Sequence, residues 1–410
     1  MQKITEILLE KINAKSAVIE DWFDKKFRQN PALIYNSVDL RHAEFKIAPV
    51  DTNCFPAGFN NLALASKNSA KISADSFFNK NFSQAHNILI IPENHTQNLN
   101  YLESVRNLTE ILSDKKQVIV GSLIKDLTQV TKIDLQNGNF LELHPVIEKS
   151  EKITTLAGFE PDLIILNNDL TSGIPEILKN ISTPIIPSPK LGWFQRKKSQ
   201  HFKIYNQLCE EISKILEIDS WLISTLDDVC HDVNFKEQIG LEKLAKQVDE
   251  LLKKIAEKYQ QYQINEQPYC YIKADNGTYG IAVWSVISGD EVLHINKKER
   301  NKMNMLKGSI QNTSVLLQEG IKTIDRVNSE IAEPMIYSIA GQVVGNLFRV
   351  NNNRDEKISL NAAGASFFDL SNLSENQIQL GIDKNNIIKI YSLIARLTSL
   401  AAAIEQQTSF

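Results

Sequence analysis

Cysteine is scarce in this chain of 410 residues, and the four present, Cys54, Cys209, Cys230 and Cys270, are scattered without a CxxC pair. That spacing excludes a disulfide framework and a cysteine-based zinc site, and it suits a reducing compartment. Charge of one sign is lacking too: 45 Lys and Arg stand against 49 Asp and Glu, a formal net charge of -4. With a pI near 6.1 there is no general positive field to attract nucleic acid. The N-terminus has no long apolar run; Ile4, Ile7, Leu8 and Ile12 are interrupted by Glu6, Glu10 and Lys11, which reads as an amphipathic helix. Neither a signal segment nor a membrane span of about 20 residues is expected there, so the reading is a soluble, cytoplasmic chain with no membrane partner. Internal repeats and low-complexity tracts are also missing. What remains is an ordinary globular composition, 42% hydrophobic and 23% charged, long enough for two or three domains.

The local patterns are those of an α/β protein. Phe45 to Val50 reads as a short strand ending in a polar loop, Asp51-Thr52-Asn53, at the position where α/β folds bind ligands. An apolar run at Ile88 to Pro92, a helical stretch from Leu99 to Leu112 and a β-rich run from Gln117 to Leu123 give a βαβ unit. Pro161-Asp-Leu-Ile-Ile-Leu166 reads as a strand buried on both faces, and Pro184 to Pro187 as another. The pattern divides the chain into an N-terminal helical segment (1–40), a doubly wound α/β domain (41–200), a helical connector (201–265) and a β-rich domain closed by a helix (266–410), with glycine-bearing turns at Gly289, Gly341 and Gly345.

Chemistry concentrates in the last part. In YCYIKADNGTYGIAVWSV, Tyr269 to Val286, a strand delivers Lys273 into a loop holding Gly277, Thr278, Tyr279 and Gly280, and a second strand leaves it. A strand on both sides excludes the Walker loop and the dinucleotide fingerprint, each of which opens a helix. Such a loop can close over phosphates, the glycines letting backbone N–H groups approach and Lys273 neutralising charge. A glycine-rich hairpin with a surface lysine accounts for the same residues. Downstream, the strand leading to Gln318, Glu319, Gly320 and Ile321 offers a polar edge of the kind adenine needs, or simply a strand entering a turn. Glu333 and Asn361 supply hard oxygen donors suited to magnesium, and Arg349 suits a transferring phosphoryl group.

The order of these pieces resembles the nucleotide half of ATP-grasp ligases such as bacterial glutathione synthetase. More specifically, Ser37 to Leu62 (SVDLRHAEFKIAPVDTNCFPAGFNNL), Lys190 to Phe202 (KLGWFQRKKSQHF) and the KADNGTYG loop resemble the proteobacterial ATP-grasp type of glutamate-cysteine ligase. The resemblance implies an ATP-grasp fold behind an N-terminal doubly wound α/β domain, with ATP and Mg²⁺ as cofactors and L-glutamate and L-cysteine joined through a γ-glutamyl phosphate. It implies Lys198 or Lys197 as a further nucleotide lysine, and Lys273 and Arg349 as the catalytic pair. Beside these, Arg41 and Lys46 can pair substrate carboxylates, Glu44 or Asp51 can hold an ammonium group, and Asn53 can make a substrate contact. A homo-oligomer is left open.

The pattern departs from the family at one point. Ser359 stands two residues before Asn361, where these ligases usually carry a carboxylate. Asp383 and Asn385 have the missing spacing but read as a helix cap, and Asp51 and Asn53 have it but read as a turn or substrate contact. Cys54 reads as structural, since an acyl-phosphate route needs no thiol. The alternatives are another carboxylate-amine ligase of the same fold and a nucleotide-binding regulatory protein without turnover.

Overall fold

A computed structural model describes residues 3–94, 97–276, 283–304 and 314–408. Among them the strands form three sheets. The largest antiparallel sheet runs in the order Ser366–Asp369, Gln342–Val350, Glu330–Ile339, Tyr35–Ala43, Lys46–Asn53. An N-terminal hairpin is therefore added to strands that lie some three hundred residues later, with Tyr35 opposite Ile339 and Asp39 opposite Met335. The expected boundary at 40/41 thus falls inside the Tyr35–Ala43 strand. Asp51 and Asn53, expected in a loop, are the last residues of the second hairpin strand, because Asp39 pairs in register with Asp51 and Ser37 with Asn53.

One face of this sheet is covered by the closing helix, Lys384–Thr408. Ile387, Ile390, Tyr391, Ile394, Leu397 and Ala401 recur at three- and four-residue spacing and are all buried in the main core. By length and composition the helix could cross a membrane, yet its apolar face is spent inside the protein. Asp383 accepts the backbone N–H of Asn386 at 3.1 Å, the capping role its position suggested.

The second sheet is parallel at its centre, in the order Phe140–Lys149, Gln117–Ser122, Asn87–Pro92, Leu163–Asn167, Ile185–Ile186, with short antiparallel additions at one side. Ile88 to Ile91 and Leu163 to Leu166 are buried on both faces, as uninterrupted branched runs require. Helix Leu99–Leu112 makes the crossover between two of these strands, and Asn98 caps it by accepting the Tyr101 N–H.

The third sheet is small and antiparallel: Asp227–His231, Ser314–Glu319, Cys270–Ala274, Val283–Val286. Helix Leu241–Gln261 packs on it through Leu241, Leu244, Val248, Leu251 and Ile255. The expected helical connector 201–265 is therefore interrupted by a strand that belongs to this sheet. Gly341 sits in a turn at φ +75°, but Gly289 opens a short helix and Gly345 lies within a strand. The four cysteines are buried and free.

Candidate functional site

Between the central sheet and the carboxyl ends of the parallel strands lies a cavity of about 510 Å³, lined by both polar and aromatic residues. Alternation along a strand puts every second residue on one face, so Ser37 and Asp39 on one hairpin strand and Asp51 and Asn53 on the other all reach it. Arg349, from the Gln342–Val350 strand, and Asn361, from the loop that follows, line it as well, while Glu93, Tyr101 and Asp169 enter from the parallel sheet.

Arg349 forms the charged floor. It is 4% exposed and grips Asp39 with two nitrogens, Nη1 to Oδ2 at 2.9 Å and Nη2 to Oδ1 at 3.4 Å. Its Nη1 also lies 3.4 Å from Glu333. Burial raises the Asp39 carboxyl above the usual range, with Arg349 pulling it back and nearby Glu333 adding to the rise. Behind this pair, Glu333 takes Arg41 Nε at 3.3 Å and the Leu360 N–H at 3.3 Å. Arg41 in turn donates to the carbonyls of Glu356 and Ile358 at 2.7 and 2.8 Å. Arg41 and Glu333 thus hold the 351–361 loop against the cavity.

A second charged corner joins two sheets. Lys273, on the small sheet, donates to the Val50 carbonyl at 2.9 Å and to Gln318 Oε1 at 2.6 Å. Lys198, the first residue of helix Lys198–Leu216, reaches Asp51 Oδ1 at 2.5 Å and lies over the Trp193 ring. The helix start is docked beside Lys273 because the Ser199 N–H and hydroxyl both donate to the Asp275 carboxylate at 2.9 Å. Burial lowers the Lys273 ammonium to about 8, against the pull of Asp51. For Asp51 burial acts the other way, but Lys198, Lys273 and Arg196 prevail and hold its carboxyl below the usual value.

Of the residues singled out by sequence, Arg349, Asp51, Asn53 and Asn361 meet at the cavity, Lys198 adjoins it through Asp51 and Lys273 through Val50, and Arg41, Glu333 and Gln318 stand one layer behind. Of the two candidate lysines, Lys197 is exposed and Lys198 is buried against Asp51. Glu44 is not brought there; it lies exposed in the hairpin turn. Nor is Lys46, which is sealed against Glu319 at 2.6 Å and over the Trp221 ring at 4.2 Å. Glu319 also accepts from Trp221 Nε1 and the Leu226 N–H at 3.0 Å each, so its carboxylate ties elements together. The N–H groups of Glu319 and Gly320 are taken by the carbonyls of Leu226 and Tyr269, and Ile321 is core. Gly277, Thr278, Tyr279 and Gly280 lie outside the described residues.

Sequence reasoning passed over Asp39 and Asp169. Counting back from the turn at Glu44 and Phe45 would have set Asp39 opposite Asp51, and Asp169 stands where the loop leaves a buried parallel strand. Asn53 does make the turn its spacing suggested, accepting the Phe55 N–H at 2.8 Å. Among the described residues, no group of three His, Cys, Asp or Glu side chains could hold a metal ion.

A cleft that sets paired acid and guanidinium groups beside a lysine corner spanning two sheets suits small charged ligands. The chain belongs to the glutamate-cysteine ligase family, whose GshA sequence model matches residues 10–406. It is thus an ATP-dependent ligase. A crystal structure of a candidate gamma-glutamylcysteine synthetase from Methylobacillus flagellatus KT is similar, with 36% identity and a TM-score of 0.90 over 99% of this chain and 98% of that one. Two more distant likenesses are D-alanyl-alanine synthetase A from Vibrio cholerae O1 (12% identity, TM-score 0.34, 75% of this chain and 79% of that one) and a glutathione synthetase-like effector from Globodera pallida (11%, 0.39, 89% and 80%). They are too remote to carry an argument. No curated protein sequence matches the chain.

Proposed function

We propose that the enzyme transfers the γ-phosphoryl group of ATP to the side-chain carboxylate of L-glutamate and that the amine of L-cysteine then displaces phosphate to give γ-glutamylcysteine. The observation that carries this reading is the lysine corner: Lys198, paired with Asp51, and Lys273, bonded to the Val50 carbonyl, come from different elements to adjacent residues of one strand where the small sheet meets the central one. Two anions react slowly because they repel, so cations fixed in advance lower the barrier by positioning and neutralisation. On this reading Lys198 and Lys273 face the phosphates, and Arg349 lies by the phosphoryl group in transit. The cleft between the small and central sheets takes the nucleotide as in an ATP-grasp fold, and the parallel sheet is its doubly wound N-terminal part. Gly277 to Gly280 keep the nucleotide role expected from sequence, whereas Glu319, whose carboxylate and N–H are already taken, and the core residue Ile321 are not given one.

Magnesium, which this chemistry implies, needs only one or two carboxylates beside the phosphate oxygens. Glu333 does not fit that task, because both guanidinium groups beside it already take its oxygens. Asp51 and Asn53 fit it better, being neighbours on one strand face at the cavity, with the Asp51 side chain 42% exposed. When bound there, the ion would neutralise phosphate oxygens. Asp51 would then exchange its contact with Lys198 for the metal and free that lysine for the nucleotide.

The test is ADP release from ATP with glutamate plus cysteine, against γ-glutamylcysteine plus glycine, with hydroxylamine added in a parallel run. Turnover with the first pair and a hydroxamate formed from glutamate are expected. Turnover with the second pair alone would shift the reading to a glutathione synthetase, and ATP binding without turnover would leave a regulatory protein.

A further inference from the structure

Asp169, unlike Asp39 and Asp51, has no counterpart in the charge pairs described above. Asp169 follows the Leu163–Asn167 strand, lines the cavity and is 7% exposed. Its Oδ1 accepts from the Thr171 N–H at 3.0 Å and the Thr171 hydroxyl at 2.7 Å, which fixes the plane of the carboxylate. Its own backbone carbonyl accepts the Trp193 N–H at 2.9 Å. Oδ2 is buried with no hydrogen-bond partner among the described residues. Two other acids of the cavity are answered by cations, Asp39 by Arg349 and Asp51 by Lys198. A buried carboxylate oxygen left unpaired is costly to the free protein, and such a group in a ligand cavity is met by a donor on the ligand.

We infer that Asp169 binds the α-ammonium group of glutamate and keeps it protonated while the side chain is activated. The inference rests on the acyl-phosphate reading above and adds to it the recognition of one substrate. Of the two amino acids, cysteine must attack through a neutral amine, and a buried carboxylate would favour its unreactive protonated form. Glutamate has the opposite need. Once its side chain is an acyl phosphate, its own α-amine lies within reach of a five-membered ring closure, and such intramolecular attack has a high effective concentration. In that side reaction the nitrogen lone pair bonds to the side-chain carbonyl carbon, the carbon–oxygen bond to phosphate breaks, phosphate leaves with the electron pair, and the nitrogen gives up a proton to water. The product is 5-oxoproline, and the ATP is wasted. An ammonium group hydrogen-bonded to Asp169 has no lone pair to offer. Asp169 is thus both the specificity determinant for an α-amino dicarboxylate and the guard against cyclisation.

The experiment compares the wild-type enzyme with Asp169→Asn, which keeps an oxygen for Thr171 and removes the charge. Glutamate and glutarate, identical but for the amino group, serve as alternative acids. In the wild type, glutamate is expected to bind far more tightly than glutarate by calorimetry. In Asp169→Asn the KM for glutamate should rise about 10- to 100-fold, as loss of a charged hydrogen bond implies. The preference over glutarate should shrink by the same factor, the KM values for ATP and cysteine should stay within about twofold, and 5-oxoproline formed per ADP should rise. An unchanged glutamate-to-glutarate ratio, or an effect on cysteine alone, overturns the inference while leaving the ligase intact. If the variant does not fold, equal wild-type affinity for the two acids overturns it just as well. A wild-type enzyme that makes no ADP with glutamate and cysteine would instead remove the reading on which it rests.

Discussion

Two buried lysines are both lowered to about 8, chiefly by burial, yet their charges have different uses. Lys46 has a carboxylate partner, Glu319, and an aromatic face, so its charge is balanced within the protein. Among the described residues Lys273 is hydrogen-bonded only to neutral acceptors, a carbonyl and an amide oxygen, so its charge is available to a ligand. Sequence could not tell the two apart, because each lies on a β-rich run; only the partner across the fold decides. If the protonated form is the one that binds triphosphate, the dissociation constant of ATP should rise about tenfold per pH unit once pH passes about 8. The same shift has a sign for folding: between about 8 and the unfolded value near 10.4 the unfolded chain holds more protons, so the free protein gains stability as pH rises there. Lys273→Arg, which stays charged, should bind ATP with a flat profile over that range. Titrating ATP by calorimetry from pH 7 to 9.5 checks this, and parallel slopes in both proteins would remove Lys273 from the phosphate site.

At the scale of elements, helices were the most legible feature. Leu99 to Leu112 has the bounds that periodicity gave it, and the closing helix, expected over Ile387 to Gln406, runs from Lys384 to Thr408. The hairpin was legible as β-structure but not as the neighbour of Glu330–Ile339, because a local pattern specifies a strand and not its partner. The closing helix also carries a device without a local signature. Glu405 near its end accepts Arg196 Nε at 2.8 Å and Nη2 at 3.0 Å, and lies 3.0 Å from His201 Nδ1, while Arg196 donates to the Thr52 carbonyl at 2.6 Å. One ion pair therefore links helix, cavity strand and the loop before Lys198. Burial opposes the Glu405 charge, but Arg196 and His201 outweigh it and bring the carboxyl to about 2. Since that lies below the unfolded value near 4.3, the contribution is fully present above about pH 4.3 and is lost as pH falls through about 2; the shift corresponds to about 3 kcal/mol. Glu405→Gln should cost about 3–5 kcal/mol at pH 7, because Arg196 is left buried without a counter-charge. Urea unfolding at pH 7, 5 and 3 should show the gap to wild type narrowing toward acid; a gap of constant size would mean that the carboxylate charge is not what stabilises this junction.

Across the whole molecule, the parts that sequence reading separated share their cores. One cluster combines Ile88, Ile90 and Leu163 of the parallel sheet with Tyr35, Met335, Tyr337 and Leu347 of the central sheet. Another joins the hairpin, the closing helix and the small sheet through Leu40, Ile47, Ile394, Ile272 and Leu316. Polar links run the same way: the Tyr35 hydroxyl donates to the Leu166 carbonyl, and Asn167 Nδ2 to that of Pro56 at 2.8 Å. The hairpin at Tyr35–Asn53 lies in both clusters and supplies Asp39, Asp51 and Asn53 to the cavity, so no sheet can melt without exposing apolar surface of another. Domains that share a core unfold together, whereas those joined only by a linker do not. We therefore expect one calorimetric transition with equal calorimetric and van't Hoff enthalpies, despite a length at which separate domains are common. ATP with glutamate should move that single transition upward as a whole, because ligands bind only the assembled cleft. An endotherm that splits in two, with only the later part responding to ligand, would mean that the parallel sheet folds independently and that the shared cluster contributes little to holding the cavity together.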